Sequence, residues 1–593
     1  MRVTDRVFRP CSTGWGKFRA SKKGFLCPAE ISVTACDMPD TAAKSPDPQD
    51  DSPSFDEALY LRAYPDVALA VERGELPSGQ DHFRLAGKAE GRLFRSEYRE
   101  QVLLAGGSGQ GFKSGPTTSI DRLVVSASGA IFLVGWADDA RRTLTEITLY
   151  ADNHRRVWRA FSRLRRADVE AAVGAPTPYH YGFWVFGEPV KAGTQWRAEG
   201  GKPSRVEFGF ADGSVIRLDQ TITVMSDIDM RDLVMGYFAN ASYHGNGVIG
   251  AFAALDTGVG RVLAAYNQVV SAQITRQALV QRFGQEQTRF KASLIVPIYG
   301  MHHYHYLQSA AFAGGAGIED CEFIYVLNSP ELVEPLTREM RIAAMVYGHA
   351  QSLVVLPGNA GFGAANNVAA QFARSDRLIC VNPDVFPKDP AWAKHHADLL
   401  DGLPTEQTRL FGATLYYDDG SLMHGGMYID LDLGIVGANG GLTHDRVLRV
   451  EHHGKGAPEW ALAYQASRPV TGVTGAFISV DRNWFESLGG FSETYIYGHY
   501  EDADLCLKSL RQGTPSWVHP IAMWHLEGKG STRLPHHAGG SLVNRWLFTR
   551  TWESFVTPDL IGRTPAGLAR YAEPLPVSAA KAAAAKSTGR RAR

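Results

Sequence analysis

The chain is 593 residues long, with a formal net charge of −1 and a pI near 7.0. That length exceeds what one hydrophobic core sustains, so several domains are expected. Hydrophobic residues make up 44% and charged residues 21%, the profile of a soluble globular protein, and the lack of a basic bias argues against nucleic acid as the main partner.

The six cysteines are scattered, at Cys11, Cys27, Cys36, Cys321, Cys380 and Cys506, and no CxxC pair occurs. This usage suits a reducing cytoplasm and disfavours a disulfide framework or a zinc cluster. Cys321, Cys380 and Cys506 lie in apolar stretches and read as small core residues. No uninterrupted apolar run reaches the roughly 20 residues that span a bilayer. The best candidate, "VIGAFAALDTGVGRVLAAYNQVV", is broken by Asp256 and Arg261.

In chain order, the first forty residues lack periodicity and a signal-peptide core, and read as an extension or as sequence preceding a true start at Met38. With the Pro/Asp/Ser-rich stretch that follows, residues 1–54 are expected to form a disordered extension and linker. Residues 55–100 hold two amphipathic helical stretches joined by a turn, a small helical module that reads as a packing or docking unit. From 118 to 222, short β-prone segments such as "DRLVVSASGAIFLVGWADDA" and "SRVEFGFADGSVIRL" alternate with turn residues and predict a β-sandwich-like domain. Trp136, Trp184 and Trp196 in it read as core aromatics, with carbohydrate contact the alternative. Residues 226–288 read as a helical connector.

At 291 the pattern becomes strand, helix, strand, helix, strand, through "KASLIVPIYG", "CEFIYVLNSP", "SLVVLPGN", "FGAANNVAAQFARS" and "DRLICVNPDV". That predicts βαβ units around a parallel sheet, with ligands at the C-terminal strand ends. Those ends carry Tyr299-Gly300, Asn328-Ser329, Asn359 and Asn382-Pro383-Asp384. Neither a dinucleotide Gly-rich fingerprint nor a P-loop is present. A second block holds Glu501, Asp502 and Asp504 at the start of a helical run, then a strand-like "SWVHPIAMWH" ending at His525. Each feature alone has a structural explanation, since acidic residues suit a helix N-terminus.

Together, "SLIVPIYG", "EFIYVLNS", "NAGFGAANN", "NPDV", "YYDDGSLMHGG", "VTGAF", "LGGFSE", "YEDADLCLK" and "WHLEGKGS" follow one another across residues 291–530. In this order and spacing they resemble the family 2 glycosyltransferases of the GT-A fold, in particular the bacterial branch that builds O-antigen, rhamnan and other surface polysaccharides. The resemblance implies a multidomain chain. An α/β GT-A domain (nucleotide-diphospho-sugar transferase) over 289–556 would follow the helical module and the β-sandwich-like domain, and a basic disordered tail would occupy 574–593.

It further implies an inverting, metal-dependent transferase that moves a sugar from a nucleotide diphosphate sugar to a glycan or lipid-linked glycan acceptor. The implied location is the cytoplasm or the inner face of the membrane, where the basic tail would make at most a weak lipid contact. The donor would meet Pro297, Tyr299, Asn328, Asn359, Gly361, Asn366, Asn382 and Asp384. Leu327 stands where the family commonly has Asp. Asn382 and Asp384 match the family's Asp-x-Asp motif, so Asp384 and His525 would ligate Mg²⁺ or Mn²⁺. Gly475 and Ala476 match the loop beside the acceptor and donor sugar, and Gly489, Gly490 and Phe491 the turn before the base loop. Asp502 matches the general base, with Glu501 the other candidate.

The histidine-rich 301–306 has no acidic neighbour in sequence, so His302 and His305 read better as sugar or phosphate contacts than as metal ligands. Two rival functions stand beside the main one. One is a non-catalytic glycan-binding scaffold on a decayed transferase domain. The other is a nucleotidyltransferase, for which "PIYGMHHYHY" lacks the Arg or Lys of a phosphate loop.

Overall fold

The computed structural model describes residues 118–572 and scattered positions between 57 and 87; it leaves out 140–142, 152–153, 174–179, 189–202, 241–246, 285–286, 433–434, 437–441, 444–446 and 532–533. The N-terminal extension, Trp196 and the basic tail lie outside the described residues. Of the 55–100 stretch, a short helix Gly79–His82 is described, with the Asp81 amide donating to Ser78 Oγ at 3.0 Å as its cap.

Nine strands follow: β1 (Thr118–Ser126), β2 (Ile131–Ala137), β3 (Leu144–Ala151), β4 (His154–Trp158), β5 (Ser162–Leu164), β6 (Gly182–Gly187), β7 (Pro203–Phe210), β8 (Val215–Thr221) and β9 (Thr223–Met225). They form two sheets, ordered β5-β6-β2-β1-β9 and β4-β3-β7-β8. Leu123, Leu133 and Phe183 of the first sheet meet Ile147, Val206 and Phe208 of the second in one buried core. The strands β2 and β6 of the first sheet are buried on both faces. The other face of that sheet packs on helices, with Trp184 fully buried against Phe238 at 5.8 Å. Trp184 is therefore a core residue.

Two long helices come next, α1 (Asp227–Asn240) and α2 (Gly260–Thr275). The expected helical connector ends at Thr275: Leu279–Phe283 is a strand, β10. It pairs antiparallel with a strand some seventy residues downstream, and that open sheet edge claims its backbone. Such a non-local pairing is invisible to a local reading of periodicity.

The main sheet contains β11 (Ala292–Ile298), β12 (Cys321–Leu327), β13 (Ala350–Val355), β14 (Arg377–Val381), β15 (Val385–Pro387) and β16 (Leu410–Tyr416), with β17 (Leu422–His424) off its edge. Small pairs follow, β18 (Met427–Leu431), β19 (Ile435–Val436), β20 (Leu442–Thr443) and β21 (Leu448–His452), before β22 (Arg468–Val470), β23 (Phe477–Asp481) and β24 (Ser516–His525). The order is β10-β13-β12-β11-β14-β23-β16-β24-β15. β13, β12, β11 and β14 are parallel, and β23 runs against both of its neighbours.

Helices α3 (Tyr304–Phe312), α4 (Val333–Tyr347) and α5 (Phe362–Phe372) connect the parallel strands. Because they cover both sheet faces, β11 and β12 are buried at every position, which explains why their sequences are apolar apart from Ser293 and Glu322. Cys321, Cys380 and Cys506 are buried free thiols. Two later helices complete the site, α6 (Glu501–Arg511) and α7 (Pro535–Trp552). α7 lies so close to α1 that a Cβ on Gly539 would fall 2.1 Å from the Met235 carbonyl oxygen. Among the described residues, no helix is long and apolar enough to cross a membrane.

Candidate active site

Strands β12 and β14 flank β11 on opposite sides, so the chain diverges there and opens a crevice at the C-terminal ends. Tyr299 and Gly300 leave β11, and the Gly300 amide donates to Ser329 Oγ at 2.9 Å. Asn328 is buried, and its Oδ1 accepts the Ala360 amide at 3.0 Å. It thereby ties the end of β12 to the Asn359–Gly361 loop. Asn359 Oδ1 accepts the Gly361 amide at 2.9 Å. Gly361 has φ +88°, and a Cβ there would lie 3.0 Å from the Tyr497 carbonyl oxygen; only glycine fits both demands. Two expected donor residues are buried. Pro297 is buried within β11, and Asn366 is fully buried on α5, its amide donating to the Phe362 carbonyl.

After β14, the Asn382–Asp384 turn leads into β15. Gln308 holds this turn by donating to the carbonyls of Asn382 (2.8 Å) and Val385 (3.1 Å). β15 pairs with β24 in a register that sets Val385 opposite His525. This register brings Asp384 and His525 together, with Oδ1 to Nε2 at 3.5 Å. Asp384 Oδ2 accepts the amides of Gly530 (2.9 Å) and Lys529 (3.2 Å). Burial opposes ionisation of Asp384, but the hydrogen bond and charge of His525 and the Gly530 amide outweigh it and hold the carboxyl below its usual range.

These residues fit a hard cation. Two ligands of one octahedral ion at right angles lie about 3 Å apart, close to the observed spacing. Oδ1 remains the carboxylate oxygen not taken by the amides. Among the described residues, no group of three His, Cys, Asp or Glu converges as a metal site, so a cation here would take its remaining ligands from diphosphate and water.

The three carboxylates at the start of α6 have different surroundings. Asp504 is buried, accepts Trp552 Nε1 at 2.9 Å and pairs with Lys508 at 2.8 Å. Glu501 is buried with Oε2 unpartnered. Burial, reinforced by the neighbouring Asp502 charge, raises its pKa well above the usual carboxylate value. Asp502 alone is partly exposed, and its Oδ2 accepts the Gly475 amide at 2.8 Å. Ala476 accepts the Asn382 amide at 3.0 Å. A two-residue bridge thus joins the Asp502 side of the crevice to the Asp384 side.

The loop into α6 is strained. Tyr497, His499 and Tyr500 have φ of 61°, 81° and 75°, a left-handed conformation costing roughly 1–2 kcal/mol each for such residues. Asn544, fully buried on α7, holds the loop in place. Its Nδ2 donates to the carbonyls of Ile496 (2.9 Å), Gly498 (2.7 Å) and His499 (3.2 Å), and its Oδ1 accepts the Ile496 amide at 2.7 Å. The Gly489-Gly490-Phe491 turn is fixed by Asn367, whose Oδ1 accepts the Phe491 amide at 3.0 Å.

Three further groups at the site escaped sequence reasoning. His424 is fully buried, with Nδ1 3.1 Å from His452 Nδ1 and Nε2 3.5 Å from the Thr474 amide. Burial, then the charges of His452 and His453, push its pKa well below the ordinary value. The signal for it was its place before Gly425-Gly426 within "YYDDGSLMHGG". Arg231 and Asn544 lie outside every recognisable motif. In the histidine-rich segment, Tyr304 lies beside β15, its ring 6.2 Å from that of Phe386. His302 Nδ1 is 2.9 Å from Glu339 Oε1, an acidic partner distant in sequence. His305 is fully buried on Gln351 (3.0 Å), and burial lowers its pKa to about 4.

No protein-family model matches the chain. It is 29% identical over 167 residues to the uncharacterized protein y4gI of Sinorhizobium fredii, covering 28% of this chain and 17% of that one. It is 28% identical over 185 residues to the O-antigen biosynthesis protein RfbC of Myxococcus xanthus, covering 30% of this chain and 12% of that one. The chain thus spans less than a fifth of either relative.

Solved structures similar to it are glycosyltransferases. GalNAc-T7 with UDP, GalNAc and Mn²⁺ shares 13% identity at a TM-score of 0.32, covering 45% of this chain and 49% of that one. The mannosyltransferase PcManGT from Pyrobaculum calidifontis in complex with GDP-Man and Mn²⁺ shares 13% at 0.29, covering 59% and 91%. S. aureus TarS shares 14% at 0.27, covering 40% and 36%.

Proposed function

We propose that the protein is an inverting, metal-dependent family 2 glycosyltransferase that acts in the cytoplasm on a polysaccharide or lipid-linked glycan acceptor. The observation that carries this reading is the Gly475-Ala476 bridge, which sets one partly exposed carboxylate, Asp502, across the crevice from the Asp384–His525 pair. The similarity to an O-antigen biosynthesis protein supports the acceptor class. The helical and β-sandwich segments would position the acceptor or a partner.

In this mechanism Asp502 removes the proton of an acceptor hydroxyl as its oxygen attacks the anomeric carbon, and the bond to the nucleoside diphosphate breaks on the opposite face. Burial disfavours ionisation of Glu501, and Asp504 is engaged with Trp552 and Lys508, which leaves Asp502 as the available base. Asp384 and His525 would hold Mg²⁺ or Mn²⁺, which supplies Lewis-acid stabilisation of the leaving diphosphate. Asn382, Tyr299 and Asn359 line the donor side. The scaffold alternative draws on Asn382 and Leu327, which stand where the family's motifs commonly have Asp.

A screen of nucleotide sugars with added Mg²⁺ or Mn²⁺, read as binding, slow donor hydrolysis and transfer, separates the two. Asp384→Ala is expected to weaken metal-dependent donor binding, and Asp502→Asn to keep binding while losing transfer. If no nucleotide sugar binds, the scaffold reading replaces this one; if neither variant differs from wild type, the site assignment is wrong.

A further inference from the structure

We infer that Arg231 is a positioning residue that couples the donor loop to the base loop, which makes α1 and α2 part of the catalytic unit rather than a connector. This inference rests on the transferase reading above.

The Arg231 side chain is 1% exposed. Its planar guanidinium is used on every side. Nη2 donates to the Asn359 carbonyl at 2.8 Å, Nη1 to Asn267 Oδ1 at 3.4 Å, and Nε to Asp232 Oδ1 at 3.2 Å. Its face lies 4.7 Å from the centre of the Tyr497 ring. One cation therefore grips the donor loop by an edge and the base loop by a face. A lysine could keep the charge over the ring, but it lacks the fork that reaches Asn359 and Asn267 together.

α2 repeats the grip independently. Asn267 Nδ2 donates to the carbonyls of Glu493 (2.9 Å) and Tyr495 (3.1 Å), and Ser271 Oγ donates to the Ala360 carbonyl at 3.0 Å. Both helices thus hold the same two segments, Asn359–Ala360 and the residues leading into Asp502. Those segments also touch directly, with the Phe362 amide donating to the Tyr497 carbonyl at 2.5 Å.

A buried arginine serving stability alone would be neutralised by a dedicated carboxylate. Here Asp232 is shared with the Tyr497 hydroxyl, which donates to the same Oδ1 at 2.5 Å. The ion pair and the strained Tyr497 thus share one acceptor oxygen. A displacement of the donor loop passes through Arg231 to Tyr497, and so to Asp502.

The test compares the full-length wild type, Arg231→Lys and, as a control, Arg374→Lys. Arg374 is a partly buried arginine, paired with the buried Glu322 at 2.7 Å where β12 begins, the end of the sheet away from the crevice. The measurements are calorimetric binding of UDP and GDP with Mn²⁺, the transfer kcat on the donor found by screening, and hydrogen exchange at the Phe362 amide. In Arg231→Lys, kcat is expected to fall on the order of 100-fold, the cost of a misplaced catalytic group, with nucleotide affinity unchanged and Phe362 exchange accelerated. Arg374→Lys should change none of these.

An Arg231→Lys kcat equal to that of wild type or of the control, or a fall matched by an equal loss of nucleotide affinity, overturns the inference. Unaltered Phe362 exchange in Arg231→Lys overturns the coupling even while the transferase reading stands. Absence of transfer by wild type overturns that reading, and the catalytic role of Arg231 with it.

Discussion

Gly475 donates its backbone amide to Asp502 at 2.8 Å, although the two residues lie on separate segments of the chain. The carboxylate is therefore aimed by main chain, and no side-chain substitution of its partner can remove the bond. What can disturb it is bulk. A Cβ on Gly475 would sit 3.0 Å from the Phe362 ring and 3.6 Å from Asp502 Cβ. Gly475→Ala is expected to lower the transfer kcat about tenfold or more through misplacement of the base, with metal-dependent nucleotide binding retained by calorimetry.

The opposite wall has a comparable sensitivity. A Cβ on Gly530 would lie 2.7 Å from the Asp384 carboxylate. Gly530→Ala should turn that carboxylate away from His525 and cut Mn²⁺-dependent nucleotide affinity about 10–100-fold, the usual effect of disturbing a group that orients a ligand. Titration at fixed nucleotide concentration measures it.

Asn544→Asp keeps the side-chain volume and the bond from the Ile496 amide but removes the donations to the three carbonyls of Ile496, Gly498 and His499. Buried carbonyls then face a carboxylate, at a cost of about 2–4 kcal/mol. Urea unfolding is expected to show that loss, and transfer should fall further than stability alone explains, because the left-handed residues before Asp502 lose their restraint.

Glu501 predicts a pH dependence. Its pKa is raised in the fold by burial first and by the Asp502 charge second. Above the unfolded-state pKa, near 4.5, the unfolded chain releases this proton while the folded chain keeps it. The Glu501 contribution to stability is therefore present below that pH and is lost as pH rises, with a slope of up to about 1.4 kcal/mol per pH unit. Glu501→Gln should remove this component, so that the variant unfolds at higher urea than wild type at neutral pH and the two converge in acid. Transfer is expected to persist, since the proposed base is Asp502 and not Glu501.

Much of the main sheet was legible because buried parallel strands are written as mostly apolar runs. "ASLIVPI" and "CEFIYVL" are β11 and β12 over their full length. Asp384 and Asp502 were legible through motif order, since each stands where an element ends or begins. Other features rest on long-range pairing. β10 was hidden because its partner β13 lies far along the chain. Asn366 matches the family's Asn/Gly stretch, and on α5 it is fully buried with Nδ2 bonded to its own helix and Oδ1 without a partner. Arg231 and Asn544 carry no local signature, because their roles exist only once α1 and α7 pack beside the base loop.

Asn544 has a consequence for biosynthesis. A nascent polypeptide that has already exposed Asp384 and Asp502 still lacks the residue that clamps the carbonyls of Ile496, Gly498 and His499. At about 5–20 residues per second of translation, the forty-odd residues between base and clamp take seconds to appear, and α7 must then dock before the loop is set. Transfer should be absent until α7 has been made and has docked against the Ile496–His499 loop.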